Sequence, residues 1–158
     1  MANTQSMTTS FMGELMTATH NFGTAPVRAT GATDSFKGAL YLASATVNAA
    51  TTVYSSTGEV TGTGYSAGGV AVTFGTPPTA TNSSATAGVA FVTPSASITY
   101  SSVTLSTAFD AVLLYNSTQS NKAVSVHTFG SQTITAGTFT LTMPSNTTTT
   151  ALLRLATT

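Results

Sequence analysis

DAVLLYN (residues 110–116), STQSN (117–121) and KAVSVHTF (122–129) follow one another without interruption. From Ala111 to Tyr115 every side chain is apolar. A strand with one face in water alternates apolar and polar residues, whereas a strand that is apolar on both faces has to be covered on both. DAVLLYN therefore reads as a central strand. STQSN has the Ser and Asn content of a turn, and KAVSVHTF places Val124 and Val126 opposite Ser125 and His127 on the next strand.

Outward from this centre, β signals continue in both directions. TFTLTM (138–143) alternates, with Phe139, Leu141 and Met143 on one face, and ALLRLA (151–156) reads as a last strand. Upstream, KGALYLAS (37–44) is an apolar strand, residues 51–55 a shorter one, and GVAVTFG (69–75) sets Val70, Val72 and Phe74 on one face. GVAFVT, SITY and SVTLS (88–93, 97–100, 102–106) follow, with a change of facing near Ser101 and Ser102 that predicts a bulge or bend. TPPTATNSSATAG (76–88) reads as a polar loop, because neither Pro77 nor Pro78 can donate to a ladder. The single helical pattern lies in TSFMGELMTAT (9–19), where Phe11 and Leu15, and Met12 and Met16, are spaced i, i+4 behind Ser10 as N-cap. The expected fold is mainly β: an antiparallel two-sheet β-sandwich, jelly-roll or immunoglobulin-like, with a short N-terminal helix. Residues 1–35 form an N-terminal segment docking on a neighbour or on the sandwich, and 36–158 form the sandwich domain.

Charged residues make up 5% of the 158, against roughly 25% in an ordinary soluble domain. Four basic and four acidic residues balance to a net charge of +0, so the sequence offers no basic footprint for nucleic acid or for an anionic membrane surface. No apolar run reaches the roughly 18 residues of a spanning helix, and MANTQSMTTSFMGELM has neither the basic nor the apolar region of a secretory signal. With no cysteine and two histidines, no metal site and no cofactor are expected. A surface so poor in ions suits burial against neighbouring subunits, because uncharged faces avoid the cost of desolvating ions.

GYSAG (64–68) spells the G-x-S-x-G elbow of serine hydrolases, and Asp110 and His127 follow Ser66 in the matching order. That elbow needs a strand-to-helix turn, yet GYSAG is followed by a strand and two prolines. The glycines also come near to two phosphate-binding motifs, but Val70 stands where a P-loop needs Lys and no helix follows. The expected role of the stretch is geometric: glycines that permit φ > 0 in a tight reversal. No catalytic residue is assigned. His20 and His127 read as hydrogen-bonded structural residues, and Glu59 and Lys37 as a pair or as members of an interface. Asn82, Asn116 and Asn146 open N-x-[ST] patterns that arise readily in a Ser/Thr-rich chain.

Six phrases, FMGELMTATHNF, DSFKGALYLASA, TGEVTGTGYSAGG, VLLYNSTQSNKAVSVHTFGS, TFTLTMP and ALLRLA, run in order from Phe11 to Ala156. Together they resemble a widespread group of small structural proteins of tailed bacteriophages. The resemblance implies a virion location and supplies no functional residues. Low charge and the resemblance together lead to the expectation of a non-enzymatic particle component, with a capsid decoration or cement protein preferred, whose partners are the major capsid protein and copies of itself in a homo-oligomer or lattice. The expected contacts are Phe11, Met12, Leu15 and Met16, the loop around Pro77 and Pro78, and open strand edges. Two alternatives stand beside it: a neck, tail or fibre-attachment component, and a carbohydrate-binding module. The last needs exposed flat rings, yet the chain has no Trp, and its five tyrosines lie mostly in strand or Gly-turn contexts.

Overall fold

A computed structural model describes residues 3–8, 11, 15, 19–20, 22, 33–81 and 88–156. Its strands are β1 (Ser6–Met7), β2 (Phe36–Leu42), β3 (Val70–Val72), β4 (Thr79–Thr81), β5 (Val89–Val92), β6 (Ile98–Asn116), β7 (Lys122–Leu141) and β8 (Leu153–Ala156). They form two antiparallel sheets, one in the order β1-β7-β6-β2-β3 and one in the order β4-β5-β8. The protein is thus mainly β. The helix expected over residues 9–19 falls largely outside the described residues, as do Met12 and Met16.

Sequence pattern explains why β6 sits in the middle. Its C-terminal half is apolar on both faces and is covered on both: Val112 and Leu114 join one core with Phe36, Leu40 and Val124, while Ala111, Leu113 and Tyr115 join a second with Ala39, Val47 and Val126. Val92 and Leu153 of the smaller sheet belong to the first core, which places that sheet over this face. Ala45, Val47 and Tyr54, from the segment after β2, cover the other face.

Straight strands of 19 and 20 residues would each span roughly 60 Å, far beyond the roughly 15 Å radius of gyration of a compact chain of this length. The β6–β7 hairpin bends instead. Its register shifts repeatedly between Tyr100 and Ala111, and Ser102 and Ala136 take positive φ of 56° and 49°. The bulge expected at Ser101–Ser102 is one of these irregularities. Through the bend, the first half of β6 folds over β2: Ile98 and Tyr100 come within 3.3 and 3.2 Å of the position a Cβ on Gly38 would take, and the Tyr100 hydroxyl donates to Gly38 O at 2.8 Å.

The N-terminal strand is locked from both ends. β1 pairs with Ser125 and Val126, Thr8 N donates to Val124 O at 3.1 Å, and Asn3 bridges Leu42 O, Asp110 and the Val47 amide. Two expectations need correction. Residues 79–81, read as loop, form β4 because they pair with Phe91, Ala90 and Val89 despite being fully exposed. Residues 51–55 contribute an isolated bridge, Val53 to Lys122, rather than a strand.

Gly69 has φ of 71°, and a Cβ there would lie 1.7 Å from Gly38 O. Gly69→Ala is therefore expected to cost roughly 3–4 kcal/mol. Gly130→Ala, where an added Cβ meets nothing within 4 Å, is expected to stay within about 0.5 kcal/mol of wild type. Urea unfolding of both variants checks this, and equal costs would contradict the close-approach account.

Candidate docking surface

The three residues in hydrolase order do not meet. Ser66 lies in the turn leading to β3, at one edge of the five-stranded sheet, and His127 lies on β7, three strand spacings or roughly 14 Å away. Asp110 accepts from the Asn3 side chain. His127 instead shares a hydrogen bond of 2.8 Å between Nε2 and the buried Ser125 Oγ. Burial pushes the His127 imidazole down to about 4. That pair stands two residues apart on one strand, packed in the sheet.

The glycine-rich turn has a different purpose. Its Tyr65 hydroxyl donates to Glu59 Oε1 at 2.6 Å and accepts from Leu40 N at 3.0 Å, while Gly68 N donates to the same carboxylate oxygen at 2.8 Å. Tyr54 donates to Glu59 Oε2 at 2.6 Å. Glu59 is 6% exposed, so a carboxylate is held inside by three donors. Gly68 O in turn accepts from the Tyr115 hydroxyl at 2.8 Å, and Tyr54 stacks on Tyr115 with centroids 4.7 Å apart. Tyr65 likewise stacks on Tyr100, and Tyr41, bridged to Glu59 along the backbone, donates to Ser55 O. All five tyrosines thus surround one carboxylate. Burial pushes the Tyr41 hydroxyl up to about 12, the Ser55 bond lowers it, and the Glu59 charge raises it further. Burial and the bond to Glu59 also raise Tyr65. Glu59 bonds to Tyr54, Tyr65 and Gly68 rather than to Lys37, and it is an internal anchor.

A second buried network closes the hairpin. Asn116 Nδ2 donates to Asp34 at 2.7 Å and meets His20 Nδ1 at 3.1 Å, and Asn116 Oδ1 accepts from the amides of Thr118 and Gln119. Both histidines are therefore hydrogen-bonded.

Among the described residues little charge reaches the surface. Of the six charged residues described, Asp34 and Glu59 are buried, Lys37, Asp110 and Lys122 are half-buried, and Arg154 alone is exposed. None of the aromatic rings is exposed. What remains outside is hydroxyl and small apolar surface, with Val53 and Leu155 as the large apolar exceptions. Leu155 is one of the residues lining an entirely apolar groove of about 70 Å³ between the N-terminal segment and the smaller sheet. This groove gathers three of the residues expected at an interface, Phe11, Leu15 and Pro78. Phe11 is 2% exposed and packs against His20 and Phe22, so its ring belongs to the chain's own core. Pro77 and Pro78 are exposed. Among the described residues no group of three or more His, Cys, Asp or Glu is placed to hold a metal, and no helix is long and apolar enough to cross a membrane.

Comparison with family models, with curated proteins and with solved structures returns no match.

Glu59→Ala would leave the Tyr54 and Tyr65 hydroxyls and the Gly68 amide without their acceptor, and is expected to cost roughly 3–4 kcal/mol in urea unfolding. A loss below about 1 kcal/mol would remove Glu59 from the centre of the account. His127 is held neutral, with its folded pKa below the usual 6.5, so its contribution is full above about pH 6.5 and is lost as pH falls toward about 4. Wild-type stability should therefore fall across that window with a steeper slope than in His127→Gln, and identical slopes would contradict it.

Proposed function

We propose that this protein is a non-enzymatic structural component of a tailed-phage particle, most specifically a capsid decoration protein that binds the outside of the head and bridges capsomers. The observation that carries the reading is the nearly ion-free exterior, in which Arg154 is the one exposed charge among the described residues. A surface of hydroxyls and small apolar groups can be buried against a neighbour without stripping water from ions. Repeating one modest contact around a lattice converts weak single contacts into firm attachment. The sequence resemblance supports the same reading independently of surface chemistry. The apolar groove beside Leu155 and the exposed prolines supply the contact surface proposed for the head. A jelly-roll or immunoglobulin-like sandwich with a short N-terminal helix is the finer architecture that belongs to this proposal.

Placement in the neck, the tail or a fibre attachment uses the same chemistry with fewer copies. A carbohydrate-binding module draws no support from the rings, since each tyrosine hydroxyl faces a protein acceptor and no aromatic face is exposed.

Copy counting by quantitative mass spectrometry of intact particles, with labelled protein located by electron microscopy, checks the proposal. Hundreds of copies over the head are expected. A dozen or fewer, confined to the tail, would overturn it.

A further inference from the structure

We draw no further inference here: the strongest candidate, the apolar groove lined by Met7, Phe11, Leu15, Pro78 and Leu155 between the N-terminal segment and the smaller sheet, belongs to the contact surface already described, and nothing in the structure shows what covers it.

Discussion

One buried carboxylate organises this molecule. Glu59 accepts hydrogen bonds from two tyrosine hydroxyls and a backbone amide, and so ties together the segments whose Tyr54 and Tyr65 rings pack on the two cores. The turn from Gly62 to Gly69 carries Tyr65 and Gly68, two of the three donors. Tied to Glu59 and to Leu40 N, it lies against the sheet closely enough that a Cβ on Gly62 or Gly64 would strike Thr104 O or Ser102 O. The bent half of β6 then packs over a fixed floor. Because three donors compensate the carboxylate, the desolvation that makes buried ions costly is offset locally, and removing any one partner leaves another buried group unsatisfied.

The same economy governs the surface. Among the six charged residues described, two carboxylates lie inside and three further groups are half-buried, so Arg154 is the exposed charge and Thr, Ser and small apolar side chains make up most of the described exterior. Aromatic rings turn inward as well, toward Glu59 or into the phenylalanine cluster of Phe22, Phe36 and Phe74. Among the described residues, what is left outside is a nearly uncharged surface with an apolar groove beside the smaller sheet. On the proposed reading, such a surface meets its neighbours through shape and hydrogen bonding.

Much of the fold was legible where burial wrote itself into local pattern. The apolar run of Ala111–Tyr115 announced a strand covered twice, and the alternation of Phe139, Leu141 and Met143 announced one covered once. The change of facing at Ser101–Ser102 announced the bend, and the glycines around Ser66 announced a reversal at positive φ. What escaped was non-local. β4 is three exposed residues that become a strand only through β5, and β1 is two half-buried residues held by β7. Glu59 escaped because its partners are spread from Leu40 to Gly68 and no short motif unites them. A signal was nonetheless present: one Glu just before a glycine-rich turn, in a chain with four acidic residues and five tyrosines. Of the residues expected at an interface, Pro78, Phe11 and Leu15 meet at the groove, yet spacing alone did not reveal that Phe11 faces inward.

The central claim is that this exterior binds its neighbours without ionic contacts. Screening shortens the reach of charge–charge attraction to about 3 Å at 1 M salt, while apolar and hydroxyl contacts persist. The direct measurement is binding of the purified protein to phage particles lacking it, at low salt and at 1 M NaCl. Retention that is equal or greater at high salt is the predicted result. Release by salt, or no binding at either concentration, would contradict the account.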